Sequence, residues 1–280
     1  MKALDEWLSS EGCRALQNHS LSGGCIADSR QVVLDDGRQI FVKQMPQAVA
    51  GMFLAEAAGL EALAKHSPLK VPEVVFQNEN LLILEFIEAA NRKTQFEEVL
   101  GQGLAELHSK SAEGFGYRMD TFCGSTKQPN NLMLDGYQFY AEKRFLYLAK
   151  QCLSKGLLTK DDVKQVEMLC SNLPSLIPEQ KPALLHGDLW SGNVHVSEQG
   201  LPVLIDPAVY WGWPEADLAM TQLFGGFSGR FYDAYQEARP LQGGWRERMD
   251  LYNLWHLLNH LLLFGSGYLP DVKRVICRYT

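Results

Sequence analysis

Nothing in these 280 residues favours a membrane, a nucleic acid or a disulfide scaffold. Lys and Arg together number 26 against 33 Asp and Glu, a net charge of −7. No dense Lys/Arg stretch interrupts that balance, so nucleic-acid or anionic-membrane binding is disfavoured. The six cysteines, Cys13, Cys25, Cys123, Cys152, Cys170 and Cys277, form no CxxC pair and have no close His partner. Neither a zinc site nor a disulfide framework is expected, and a reducing cytoplasm suits such a chain. Long apolar runs are also missing. The most apolar late stretch, LLNHLLLFG, is short and carries a His. The opening MKALDEWLSS reads as an amphipathic helix containing acids, not as a charged-then-apolar leader. Internal repeats and low-complexity linkers are absent as well.

What is present divides into two parts. In the first, QVVLDDGRQIFVK holds two apolar runs around Asp35-Asp36-Gly37, a strong hairpin signal, and EVVFQNENLLILEF repeats the arrangement around Asn78-Glu79-Asn80. Between them Val49 to Lys65, rich in Ala, Leu and Glu, reads as a helix stopped by Ser67-Pro68. After Glu88 the helical period dominates, over Phe96 to Lys110, Gly136 to Gly156 and Asp161 to Leu173, with Gly114 to Asn131 read as a loop. The expectation is an α+β, bilobal fold. Its β-rich lobe with one main helix spans residues 1 to 87, and its larger helical lobe spans 88 to 280.

The stretch LLHGDLWSGNVHVSEQGLPVLIDP carries the chemistry. His186-Gly187-Asp188 is followed by Asn193, and Asp206 comes thirteen residues later at the end of an apolar run. That is the spacing of a phosphoryl-transfer loop, in which an Asp accepts a hydroxyl proton while an Asn and a second Asp hold Mg²⁺. Phosphoryl transfer asks little covalent chemistry of a protein; it needs oxygen ligands and positioning, and Mg²⁺ takes hard oxygen donors. Singly, Asp, Asn and Gly are more readily explained as turn residues. The first part, however, supplies complementary pieces in order. Lys43 closes the strand QIFVK at the position of a phosphate-contacting lysine, and Glu56 lies thirteen residues on, in the helix that would hold its ion-pair partner. LSGGC precedes both, where a phosphate-covering turn is needed, although Gly23-Gly24 matches neither GxGxxG nor a Walker A pattern.

The segments GGC, FVK, LHGDLWSGN, LIDPAVYWG, DLAM, FGGF and LNHLLLFGSGY resemble the fructosamine kinase (ketosamine 3-kinase) family, a branch of the aminoglycoside phosphotransferase and choline kinase superfamily. The resemblance runs from about Cys13 to Tyr268. It implies a protein-kinase-like fold that moves the γ-phosphate of ATP, with Mg²⁺, to the 3-hydroxyl of a ketosamine. Ribulosamine or erythrulosamine would be preferred to fructosamine. The phosphorylated adduct is unstable, so the family is regarded as a deglycation or protein-repair system. Within this reading Asp188 is the base, Asn193 and Asp206 are the metal ligands, and Gly23, Gly24, Cys25, Lys43 and Glu56 serve the nucleotide. Adenine meets the backbone at Glu85, Phe86 and Ile87. The segment NNLMLDGY, Asn130 to Tyr137, departs from the family pattern and is expected to edge the acceptor pocket.

Other residues carry two readings. Asp217 is a helix cap or, as the resemblance implies, a brace for the catalytic loop, with His186 orienting that loop. Trp190 is plain packing or a flat face for a sugar. His256 and His260, four apart on one helix face, are buried core residues or part of the acceptor wall. Cys25 fills a turn or, by resemblance to redox-sensitive relatives, is an oxidisable thiol beside the phosphates. The partner is a small or protein-bound ketosamine. The rivals are another acceptor such as choline, homoserine or an aminoglycoside, and a non-catalytic kinase-shaped binder.

Overall fold

The computed structural model describes residues 2–21, 27–46 and 48–280. Its first part contains α1 (Lys2–Glu11), β1 (Ala15–Ser20), β2 (Asp28–Leu34), β3 (Gln39–Gln44), α2 (Met52–His66), β4 (Val74–Gln77) and β5 (Leu81–Glu85). The strands form one antiparallel sheet in the order β1-β2-β3-β5-β4. Successive strand residues point to opposite faces. Val32, Leu34, Ile40, Val42, Leu81 and Ile83 therefore gather on one face, where Leu4, Trp7 and Leu8 of α1 cover them. Leu82 and Leu84 gather on the other, against Met52, Phe53, Ala57 and Leu60 of α2. The same alternation sets Lys43 on the α2 side, since its neighbour Val42 is committed to the α1 core. Helical spacing from Phe53 to Glu56 and Leu60 brings Glu56 round to meet it.

The second part contains α3 (Phe96–Leu107), a hairpin of β6 (Thr121–Cys123) and β7 (Thr126–Gln128), and α4 (Gly136–Phe139), which passes through a π-helical turn (Tyr140–Phe145) into α5 (Leu146–Ser154). Then come α6 (Lys160–Leu176), β8 (Ala183–Leu185), β9 (Val194–Val196), β10 (Pro202–Leu204), β11 (Tyr210–Gly212), α7 (Glu215–Leu223), α8 (Gly229–Ala238), α9 (Trp245–Phe264) and α10 (Leu269–Tyr279). One core joins these helices through Leu104, Phe139, Leu169, Trp213, Phe231 and Leu258. Local signals agree with it. Thr159 and Asp162 exchange hydrogen bonds as a capping box that starts α6, and Asp135 caps α4. Arg144, 1% exposed, lies over the rings of Phe139 and Tyr210 and donates to the Asn130 side chain at 2.7 Å.

Two short antiparallel pairs, β8 with β11 and β9 with β10, bracket residues 186–193 and 205–209. The Ala208 N–H donates to the His186 carbonyl, and the Ile205 N–H to that of Asn193. The two segments carrying Asp188 and Asp206 are thereby clamped side by side.

One expectation needs correction, and one strand went unforeseen. Gly114 to Asn131 is not all loop, because it contains the β6–β7 hairpin, whose three-residue strands are too short to show a period. A further strand, β1, edges the sheet. All six of its residues are exposed, so ALQNHS has no buried face and no alternation to reveal it. Among the described residues, no helix is long and apolar enough to cross a membrane.

Candidate active site

Asp217, in the first turn of α7, organises the loop after β8. Its two carboxylate oxygens accept the N–H groups of His186 at 2.7 Å and Gly187 at 2.9 Å. Burial pushes this carboxyl up, but the hydrogen bond from His108 and the nearby His and amide groups outweigh it and hold Asp217 below the usual carboxylate range. Tyr235 fixes the far side of the His108 ring at 2.8 Å. A buried anion so fully bonded holds the loop in one shape. Gly187 has φ 85°, and a Cβ there would lie 2.0 Å from the Ala208 carbonyl oxygen, so a side chain is excluded. His186 donates through Nε2 to the Ile205 carbonyl at 2.9 Å and accepts the Asp188 N–H at Nδ1. Burial pushes its pKa down, which keeps Nδ1 free to accept.

That frame sets Asp188, Asn193 and Asp206 on one wall of a cleft whose opposite wall carries Lys43 and Glu56. Asn193 donates from Nδ2 to the Asp188 carbonyl at 2.8 Å and to its carboxylate at 3.2 Å. Asp206 has φ 56°, the one left-handed non-glycine backbone among the described residues. Such a conformation costs on the order of 1 kcal/mol and gathers at functional sites. Its carboxylate accepts from Lys43 Nζ at 2.6 Å, and Lys43 also donates to Glu56 at 2.6 Å. Burial works against the lysine's charge, yet the two carboxylates win and hold its pKa above the ordinary value. Asp188 behaves oppositely. Burial first, then the charge of Asp206, push it up to about 7, and bonds from Cys123 and Asn193 pull it back only partly. Two facing carboxylates beside an amide oxygen are a hard-donor set, and their repulsion is what a small divalent cation would relieve, so these residues fit Mg²⁺.

The other flank of Asp188 is neutral. Cys123, at the end of β6, and His256, on α9, approach it, and the potential ligand atoms of the three lie within 4.8 Å of one another. His256 Nδ1 stands 4.0 Å from the Asp188 carboxylate, buried and without a hydrogen-bond partner, and burial pushes its pKa down to about 3. Asn259 donates to the Cys123 carbonyl at 3.3 Å. His260 turns away: its Nδ1 donates to the His256 carbonyl and its ring meets Phe224, Phe264 and Tyr268. Trp190 lines the cleft and folds over Gly192, where a Cβ would meet the indole at 2.2 Å.

Not every candidate gathers here. Glu85 ends β5 with its carboxylate accepting from Lys70 at 2.7 Å, and the Ile87 carbonyl accepts from His195 at 2.9 Å. Glu85, Phe86 and Ile87 lie outside the lining around Lys43: Glu85 ends the strand next to it, and Phe86 and Ile87 follow that strand. Gly23, Gly24 and Cys25 lie outside the described residues. The segment 130–137 does not edge this cleft: Asn130 is buried against Thr121 and Arg144, while Leu134 to Tyr137 line a separate groove. Phe122 and Gly124, from the unexpected hairpin, line the cleft instead. Cys123 escaped the sequence reading because no spacing ties it to Asp188.

Comparison with known proteins gives the family. The sequence model described as fructosamine kinase matches residues 2–280. This chain belongs to the fructosamine kinase family. A probable ketoamine kinase of Synechocystis sp. is 38% identical over 269 residues, covering 94% of this chain and 90% of that protein. A chloroplastic protein-ribulosamine 3-kinase of Arabidopsis thaliana is 37% identical over 287 residues, covering 98% and 86%. A crystal structure of a candidate fructosamine-3-kinase from Thermobifida fusca superposes with a TM-score of 0.90 at 34% identity, covering 99% of each chain. The fold is that of a kinase-like phosphotransferase, a β-sheet lobe joined to a helical lobe.

Proposed function

We propose that this fructosamine kinase family protein transfers the γ-phosphate of ATP to the 3-hydroxyl of ketosamines. Ribulosamine and erythrulosamine adducts would be taken more readily than fructosamine ones. The observation that carries the reading is Lys43, buried and bonded at 2.6 Å to both Glu56 and Asp206, with Asp188 lining the same cleft. Lys43 would meet the α and β phosphates, and Glu56 would fix its direction. Asp206 and the amide oxygen of Asn193 would hold Mg²⁺, which when bound supplies charge against the phosphate oxygens. Residues 1 to 87 form the nucleotide lobe in this proposal, with Gly23, Gly24 and Cys25 over the phosphates and Glu85 to Ile87 beside adenine. Residues 88 to 280 supply Asp188 and the acceptor wall.

Asp188 takes the proton of the attacking hydroxyl. A pKa near 7 places it close to the value at which a general base is both deprotonated and basic enough to act. His186 and Asp217 hold the loop and touch no reacting atom. ATP consumption measured against ribulosamine, erythrulosamine, fructosamine, choline and aminoglycosides tests the reading. Turnover with ketosamines is expected, whereas turnover of choline or an aminoglycoside alone would overturn it.

A further inference from the structure

Three side chains that no spacing connects meet on one flank of the cleft: Cys123 from β6, Asp188 from the loop after β8 and His256 from α9. One potential ligand atom from each, a sulfur, a carboxylate oxygen and a ring nitrogen, lies within 4.8 Å of the other two. Around a tetrahedral Zn²⁺, bonds of about 2.0 to 2.3 Å set ligand atoms roughly 3.3 to 3.6 Å apart. The 4.0 Å between His256 Nδ1 and the Asp188 carboxylate is thus closed by a shift of under about 1 Å. His256 is buried, its Nδ1 has no hydrogen-bond partner, and burial keeps the ring neutral, so a lone pair faces this space unused. Cys123 is buried too, whereas Asp188 lines the cleft and gives a cation its way in.

We propose that Cys123, Asp188 and His256 form a Zn²⁺ site, separate from the oxygen donors of Asn193 and Asp206 that fit Mg²⁺. Donor chemistry keeps the two ions apart. Thiolate and imidazole suit Zn²⁺, whereas Mg²⁺ asks for hard oxygen ligands in near-octahedral array. On binding, the Cys123 thiol releases its proton to solvent and a sulfur lone pair bonds the metal, so thiolate and carboxylate bring two negative charges to a doubly positive ion. Asn259 donates to the Cys123 carbonyl at 3.3 Å and steadies that ligand from behind. With two of the three ligands buried, the fourth position opens on the cleft side and takes water. Resting on the kinase reading, Zn²⁺ there occupies the carboxylate that takes the hydroxyl proton, and the metal-bound protein is inactive until the ion is removed.

Zn²⁺ alone, titrated calorimetrically into the full chain without nucleotide, tests the site apart from any activity. One tight ion per chain is expected, and Cys123→Ser and His256→Gln should each weaken it by about a hundredfold or more, beyond the cost of losing an outer-shell partner. Asp188→Asn, at the cleft surface, should weaken it as well, which keeps the site testable if a buried variant fails to fold. Co²⁺ in place of Zn²⁺ should give a thiolate charge-transfer absorption that Cys123→Ser abolishes, and excess Mg²⁺ should not displace the ion. No tight ion in the wild type, binding indifferent to these substitutions, or displacement by Mg²⁺ would overturn the site. ATP consumption with a ribulosamine reads the consequence: one equivalent of Zn²⁺ should cut wild-type turnover about tenfold or more, and a chelator should restore it. Undiminished turnover with the ion held by these ligands would overturn the inhibition and the role of Asp188 as base while leaving the metal site standing. Absence of turnover in the metal-stripped wild type, supplied with Mg²⁺ and every acceptor, would overturn the kinase reading alone.

Discussion

The two flanks of Asp188 are built on opposite electrostatic plans. Toward the proposed nucleotide side, charges are paired at hydrogen-bond contact: Lys43 sits between Glu56 and Asp206 at 2.6 Å from each. Toward the proposed acceptor side, Cys123, Asn259 and a His256 whose pKa is pushed down to about 3 form an uncharged wall. Paired charges fix geometry before a ligand arrives, since each group has little freedom left. A neutral, buried wall fixes proton affinity instead, because desolvation without a counter-charge favours the protonated carboxyl. In the proposed reading, one cleft therefore offers a rigid seat for an anion and a carboxylate whose basicity suits a sugar hydroxyl.

The largest expected effect comes from removing the proposed base. Asp188→Asn should lower kcat by roughly two to four decades, while calorimetry finds ATP binding nearly unchanged, because the phosphates are held on the paired side. Near-normal turnover would take Asp188 out of that role. The same variant sharpens the comparison through stability. The folded carboxyl is raised from 3.8 to about 7, so its contribution is fully present below about pH 4 and is lost as pH climbs through 7. Asn cannot ionise and loses nothing over that window. The variant should therefore melt progressively higher than wild type from about pH 4 to 7, with a gain of roughly 1–3 kcal/mol at pH 8. A gap that closes as pH rises would contradict the desolvated environment assigned to Asp188.

Asp206 tests the paired side. Asp206→Ala removes a candidate metal ligand and one of the two carboxylates on Lys43, so the tightening of ATP binding by Mg²⁺, about tenfold or more in the wild type, should vanish. Because the charge of Asp206 is also the second cause of the Asp188 shift, the pKa of Asp188 should fall in this variant. Unchanged Mg²⁺ dependence in titrations with and without the ion would remove Asp206 from the metal site.

How far the sequence revealed this contrast differs by flank. The paired side was legible, because its parts lie at fixed places in elements with clear periods. Lys43 alternates out of a strand whose other face is apolar, and Glu56 repeats with Phe53 and Leu60 on α2. The same holds for the frame around Asp188, where Gly187 and Asp206 adopt left-handed backbone at a turn. The neutral side was only half legible. His256 stood out by its spacing to His260, yet the spacing suggested a shared role, while the fold sends one ring to Asp188 and the other to Phe224, Phe264 and Tyr268. Cys123 arrives from a hairpin far along the chain, through tertiary packing of β6 near α2 and α9, and no local pattern encodes such a meeting. The strand β1 and the π-helical turn at Tyr140–Phe145 were missed for a related reason: an exposed edge and a local widening of a helix leave the hydrophobic pattern almost untouched.

The smallest effect separates the two flanks most cleanly. Trp190 lies on the candidate catalytic loop two residues past the proposed base, lines the cleft and packs over Gly192, so it is a platform and not a charge. A sugar laid against the indole face gains dispersion and C–H contact, worth about 1 kcal/mol for an aromatic contact of this kind. Trp190→Ala should then raise the ketosamine KM by roughly five- to tenfold while leaving the KM for ATP within about twofold, since Lys43 and Asp206 are untouched. Steady-state kinetics with each substrate varied in turn decide the matter. If both KM values rise together, the indole supports the whole loop through Gly192, and the separation between a charged nucleotide flank and a neutral acceptor flank is weaker than the side-chain geometry implies.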